Sequence, residues 1–209
     1  METKFTEQES LAIINEMIDR ARNNVQKTNS NRLIYNGCAV ALVAILNFML
    51  LKLLPEARQE QSYLVWWLMV PSAFISKYIV NRTDRSAIVK TQIDGIISAL
   101  WNGFGISNIV LLVILFAFAT ALDTWHYFAV ITPIIMIMTA LVEFGMAKAC
   151  RFKPFFWGAI GFWIGALLAC LFTFLLQDNA IQFPVLALCM ILGFVVPGHQ
   201  LNKLAKENV

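Results

Sequence analysis

The chain predicts an all-α integral membrane protein with six transmembrane helices, preceded by a cytosolic amphipathic helix. Three observations carry that fold class. Six long apolar stretches are separated by short charged loops, the composition lies outside the soluble range, and the cations fall on alternate loops. Of 209 residues, 59% are hydrophobic and only 14% charged, with a mean hydropathy of +0.67. A soluble domain of this size cannot bury so much apolar surface, whereas lipid removes the need to. The net charge of +3 is a loop asymmetry rather than a nucleic-acid footprint. No DNA- or RNA-binding motif accompanies it, so no direct nucleic acid binding is expected.

A helix crosses the roughly 30 Å hydrocarbon layer with about 20 apolar residues. The stretches that satisfy this are 33–54, 63–80, 95–122, 125–149, 154–176 and 181–196. Pro71 in the second and Pro133 in the fourth predict kinks. The third is overlong, because about 28 residues rise about 42 Å, so it is expected to tilt or to extend out of the hydrocarbon. The organisation expected is therefore an N-terminal cytosolic helix and tether over 1–32, a membrane domain over 33–200 and a cytosolic tail over 201–209.

Orientation follows from the cations. Lys4, Arg20, Arg22, Lys27 and Arg32 precede the first span, and Lys77, Arg82, Arg85 and Lys90 lie between the second and third. Lys148, Arg151 and Lys153 separate the fourth and fifth, and Lys203 and Lys206 follow the sixth. All of these fall on one side, leaving Lys52 and Arg58 on the other. The positive-inside rule then makes both termini cytoplasmic. Trp66 and Trp67, with Trp125 and Tyr127, mark the opposite rim.

The first 32 residues are too polar for a secretory signal peptide. Thr6 and Glu9 have capping-box spacing and predict a helix start near Glu7. Leu11, Ile14, Ile18, Ala21 and Val25 then recur at helical spacing, with Glu16 and Arg20 paired on the polar side. This helix is expected to be joined to the first span by a polar tether over 28–32. Its apolar stripe suits the surface of the lipid bilayer or a cytosolic protein partner.

Polar residues inside spans are the other candidates. Asp94, Ser98, Trp101, Asn102, Gly105 and Asn108 fall within about a third of the circumference of the third span. Lipid cannot satisfy an Asn amide, so this stripe is expected to bond other helices, for example Asn36 or Asn47 of the first span, or to line a polar pathway. Asp94, one turn after Lys90 at a helix start, sits where the dipole favours a carboxylate. Glu143 lies within the fourth span, about 8 Å of axial rise from Lys148. It suits an ion pair with Lys77 or Lys148 or a proton- or ion-handling role. The fifth span carries Gly158, Gly161, Gly165 and Ala169, of which Gly161 and Gly165 form a G-xxx-G pair continued by Ala169, for packing within the chain or in a homo-oligomer.

No catalytic constellation emerges, and neither a cofactor nor a metal is expected. Cys38, Cys150, Cys170 and Cys189 form no C-x-x-C pair, and His126 and His199 lie at opposite faces of the membrane. There is no H-E-x-x-H, P-loop or dinucleotide fingerprint. Gly105-Ile106-Ser107 in a six-helix chain brings rhomboid proteases to mind, but Ser107 is mid-span and His199 at the cytosolic end.

Several short motifs resemble a family of small bacterial multi-span inner-membrane proteins of uncharacterised function. They are Glu9-Ser10-Leu11 with Ile13-Ile14 and Glu16-Met17-Ile18, Thr91 with Ile93-Asp94, Trp101, and Phe104-Gly105-Ile106. Phe152-Lys153-Pro154, Trp163 and Val196-Pro197-Gly198 agree too, so the likeness covers nearly the whole chain. Ile34-Tyr35-Asn36-Gly37 departs from the family's Leu-Trp-Gly. The resemblance implies a bacterial inner-membrane location and a gene often beside a small winged-helix transcription regulator, hence a regulatory setting. It implies no site residue. The expected function is a non-enzymatic regulatory, sensor or scaffold-like membrane protein, with a small transporter or channel using the third-span polar face and Glu143 as the alternative.

Overall fold

The computed structural model describes residues 7–84, 92–122 and 130–207; within these, nothing is stated of the side chains of 7–29, 56–57, 60, 79–84, 92, 94 and 204–207. The described chain is helical, in the order α1 (Glu7–Leu53), a 3-10 segment (Glu56–Leu68), α2 (Met69–Asp84), α3 (Gln92–Ala121), α4 (Ile131–Cys150), α5 (Lys153–Leu176), α6 (Gln182–Met190), a π turn (Ile191–Val195) and α7 (Val196–Glu207). Five helical stretches are long and apolar enough to cross a membrane: Ser30–Leu53, Gly95–Ala121, Ile131–Cys150, Lys153–Leu176 and Gln182–Lys203.

The expected second span is not among them. Its residues are divided between the end of the 3-10 segment and α2, which has only 16 residues. The path is nonetheless clear from its contacts with α1. Asn47 is fully buried, its amide nitrogen reaching Ser62 Oγ and O at 3.1 and 3.2 Å while its oxygen accepts from Trp66 Nε1 at 2.8 Å. Further on, Ser72 Oγ donates to Tyr35 Oη at 3.3 Å. The 56–84 stretch thus runs antiparallel along α1. The buried Asn47 amide needs those partners in an apolar interior, and it bonds the 3-10 segment rather than the third span.

The two prolines expected to kink their spans both stand near helix starts. Pro71 and Pro133 stand third in α2 and α4, in the first turn, where a missing N–H breaks no intrahelical bond. Trp125, His126 and Tyr127 fall outside the described residues. The tether over 28–32 is also replaced by helix: α1 is continuous for 47 residues, about 70 Å at 1.5 Å per residue. No Pro or Gly interrupts 28–32, and Ser30 Oγ donates to Gly198 O at 2.6 Å, docking this stretch on α7. Glu7 is the first described residue of α1, and Thr6, which carries the expected helix start, lies outside the described residues.

Two antiparallel pairings organise the bundle. One joins α4 and α5 through the turn at Arg151 and Phe152, where Arg151 adopts a left-handed conformation (φ 51°). The other lays α1 along α6, the π turn and α7, pinned by Ser30–Gly198 at one end and by Lys52 Nζ to Asp178 Oδ2 (2.6 Å) at the other. The core between them holds Met136, Ala140, Phe162, Ala169, Met190 and Phe194. α3 packs on α4, with Leu100 against Gly145, and its remaining surface is the most exposed of the five.

Lys52, one of the two cations on this rim, is thus neutralised. The Lys52 hydrogen bond holds the Asp178 carboxyl below its usual range, against an opposing effect of burial and with help from the Ala180 N–H. A carboxylate depressed in the folded state stabilises above its unfolded pKa of about 3.9 and loses that contribution as pH falls through the folded value. Both side chains are substantially exposed, so the effect is at most about 1 kcal/mol. Thermal unfolding in detergent should show Asp178→Asn slightly less stable than the parent at pH 6 and equal to it at pH 2. A difference that persists at pH 2 would mean the pair is not its source.

Candidate functional site

Glu143 occupies a core position of α4. Met136, Thr139, Ala140, Glu143, Met146 and Ala147 are all buried and recur every three or four residues, which makes them one face of the helix. The carboxyl therefore points to the bundle interior by register alone, and its residue is only 1% exposed. Neither Oε1 nor Oε2 has a hydrogen-bond partner among the described residues. The sequence-level ion pair with Lys77 or Lys148 is not made. Lys77 and Lys148 are exposed, and Lys148 Nζ lies 5.6 Å from the Phe144 ring centroid on the outer side of α4.

The space for the carboxyl is created by two glycines. A Cβ on Gly158 of α5 would stand 2.5 Å from Glu143 Oε2 and 3.0 Å from the Gly193 Cα. On Gly193 it would meet Phe162 Cε2 at 2.5 Å and Glu143 Oε1 at 2.9 Å. The walls are thus glycine backbone and aromatic carbon. An aromatic stack extends from them, with Phe162 on Phe194 and Phe194 on Trp101 of α3, each at 5.8 Å between centroids.

Gly193 lies in the π turn, and the sequence accounts for that irregularity. The residue four beyond it is Pro197, which has no N–H for the Gly193 carbonyl and whose ring crowds it. The chain widens by one residue, and the Val196 N–H bonds Ile191 O, five residues back. Such π bulges concentrate at functional positions. Here the bulge lies beside the most deeply buried ionisable group among the described residues.

An ionised carboxylate in this crevice has no counter-charge, and hydrocarbon cannot solvate it. Its charge has to be met by a proton, a cation or a rearrangement that admits water. That is acid–base or ion chemistry. Among the described residues no group of three or more His, Cys, Asp or Glu is placed to hold a metal ion.

The third-span stripe does not join this site. Ser98 and Asn102 are exposed on the outer face of α3, together with Gly105. Asn108 is half-buried and its Nδ2 donates to Phe104 O of its own helix at 2.8 Å. The side chain of Asp94 lies outside the description. Trp101, placed in the same stripe by its angle, turns inward to Phe194. Asn36 is half-buried on α1, and Asn47 serves the 3-10 segment. The expected network between spans one and three is therefore not the one formed. In α5, Gly161 has open space around its Cα, whereas Gly158, Gly165 and Ala169 are buried. Gly165 and Ala169 of the expected row thus make the close approach, and Gly158 takes the place of Gly161. Gly193, missed by sequence reading, was signalled by its four-residue spacing to Pro197.

Comparisons with protein-family models, with curated proteins and with solved structures return no match to this chain.

The packing around Gly158 makes a direct test. Gly158→Ala is expected to lower stability in detergent by about 1–3 kcal/mol through overpacking. Gly161→Ala, one turn away and open, should be neutral or stabilising by up to about 1 kcal/mol from helix propensity. Equal effects at the two positions would contradict the close approach of α5 to Glu143.

Proposed function

We propose that this chain is a non-enzymatic bacterial inner-membrane protein with a regulatory, sensor or scaffold-like role, whose N-terminal helix docks a cytosolic protein partner. The observation that carries the reading is the continuity of α1. The helix that forms part of the bundle core from Ser30 to Leu53 also supplies the segment bearing Leu11, Ile14, Ile18, Ala21 and Val25. An event at that apolar stripe is joined to the bundle by an unbroken rod, with no flexible tether to absorb it. The register set by Ser30–Gly198 brings the end of α7 level with Ala21 of α1, so the segment from Glu7 to Arg20 extends past its antiparallel neighbour. The short motifs shared with inner-membrane proteins encoded beside transcription regulators support the same setting.

In this reading the 56–84 stretch makes the sixth crossing, as a composite of 3-10 and α-helix. Its antiparallel course beside α1 and the cation distribution support both termini lying on the cytoplasmic side.

Replacing Leu11, Ile14 and Ile18 by Gln in the full chain should abolish recovery of a specific partner in quantitative affinity purification from native membranes, while leaving insertion and expression unchanged. Deletion of residues 1–27 should have the same effect. Equal recovery by all three forms would remove the docking role.

A second reading, a small transporter or channel, is favoured by one observation: the buried, unpartnered Glu143. The outward position of Ser98 and Asn102 leaves Glu143 to act without the third-span stripe. In proteoliposomes carrying a pH-sensitive dye, this reading expects a proton flux that Glu143→Gln abolishes without loss of folded protein. The regulatory reading expects no flux from either form.

A further inference from the structure

The turn between α4 and α5 assembles a second site, remote in chemistry from Glu143. A shallow cavity of about 260 Å³ is lined by Ala147, Lys148, Arg151, Phe152, Lys153 and Phe156. Three of its six lining residues are cations and none is acidic. Among the described residues, Lys148, Arg151 and Lys153 form no ion pair, and the nearest acid along the chain, Glu143, is turned into the core. Lys148 Nζ is held beside the Phe144 ring, at 5.6 Å from its centroid.

The backbone adds to the positive field. Arg151, with its φ of 51°, reverses the chain so tightly that only Arg151 and Phe152 separate the end of α4 from the start of α5 at Lys153. The α5 N-cap is Phe152, which offers no side-chain acceptor, and no side chain caps the first turn. At that terminus the Phe152 N–H bonds Ala147 O and Pro154 has no N–H, which leaves the N–H groups of Lys153 and Phe155 at the positive end of the helix dipole. Backbone donors, a dipole and unpaired Lys and Arg are the combination that binds phosphate.

The depth of the cavity selects the source of the phosphate. It lies between the ends of two candidate membrane spans, Ile131–Cys150 and Lys153–Leu176, where lipid headgroups sit. Trp157, 67% exposed on the next position of α5, is the residue type that anchors at headgroup level. Phe156 offers an apolar wall beside the cations for the start of an acyl chain. We propose that this cavity binds the phosphate of an anionic phospholipid. Basic pockets between helices at the cytoplasmic rim are suited to such headgroups.

The test uses the full chain in neutral detergent, with dioleoyl-phosphatidylglycerol, dioleoyl-phosphatidylcholine and inorganic phosphate as separate probes. Lipid retention is read by native mass spectrometry and protection by the thermal unfolding midpoint. Phosphatidylglycerol should be retained and protective, and phosphatidylcholine should not. The triple variant Lys148→Gln/Arg151→Gln/Lys153→Gln should bind phosphatidylglycerol on the order of 100-fold more weakly. Arg32→Gln/Arg58→Gln/Lys77→Gln, which removes the same charge elsewhere, should bind as the parent does. Equal binding by parent and cavity variant, or equal loss in the two triple variants, overturns the site. Protection by inorganic phosphate alone that matches the lipid overturns the lipid assignment. Should the cavity variant not fold, retention by the parent still decides. It must fall as salt rises from 50 to 500 mM, because the contacts are Coulombic, and salt-independent retention overturns the proposal.

Discussion

The pairing of α1 with the continuous rod formed by α6, the π turn and α7 is the contact on which the remaining architecture depends. A hydroxyl-to-carbonyl hydrogen bond from Ser30 to Gly198 and an ion pair from Lys52 to Asp178 fix its register at the two ends. Between them, small and apolar residues of α1, including the buried Ala41 and Ala44, face the core. Once that register is set, one flank of α1 is left for the 56–84 stretch, held by Asn47 with Ser62 and Trp66. The α4–α5 hairpin then closes on α6 and the π turn from the other direction. In lipid, apolar burial drives such association weakly, because hydrocarbon is as apolar as the side chains. Close approach and a few satisfied polar contacts must set the geometry instead, and here they can be named.

The same logic explains why the strongest irregularities of the bundle lie beside its most deeply buried acid. Gly158 and Gly193 permit α5 and the π turn to come within backbone contact of the Glu143 carboxyl. Pro197 makes the π turn by removing the donor that a regular helix needs at that point. A leucine at position 143 would suit such a crevice better on transfer grounds alone, since a buried ionisable group without partners destabilises. Its presence amid glycines shaped to receive it is the kind of local inconsistency that marks function rather than folding.

Much of this fold was legible in the sequence because lipid imposes a length rule and a backbone rule on every crossing. Five spans follow from these rules alone, and the register that buries Glu143 follows from helical periodicity. What was not legible depended on tertiary partners. The segment around Tyr63 has the length and hydropathy of a span. Its 3-10 part carries Ser62 and Trp66, whose partner Asn47 lies on a different helix. The stretch 28–32 reads as a tether from its polarity, yet Ser30 has a buried acceptor waiting on Gly198, 168 residues away. Asn102 reads as inward-facing because an amide is poorly served by lipid. The angle of α3 is instead set by larger side chains, Leu100, Trp101 and Phe104, which take the inner face.

Charge ties these parts together. The rim bearing the α4–α5 turn collects unpaired cations, while Lys52 on the opposite rim is met by Asp178. Charge on that rim is cancelled at this pair within the chain, whereas Lys148, Arg151 and Lys153 are left to find anions outside it. A membrane with anionic headgroups on one leaflet supplies those anions and, with them, an orienting force on the bundle. The long α1 helix runs past the end of α7 on the same cationic side, near Ala21, so the segment carrying most of the Leu11–Val25 stripe projects from the rim that bears the α4–α5 turn. The proposed lipid site at the α4–α5 turn and the proposed docking along α1 are then spatially compatible, because a lipid at the turn would hold the bundle by its rim and leave the projecting helix uncovered.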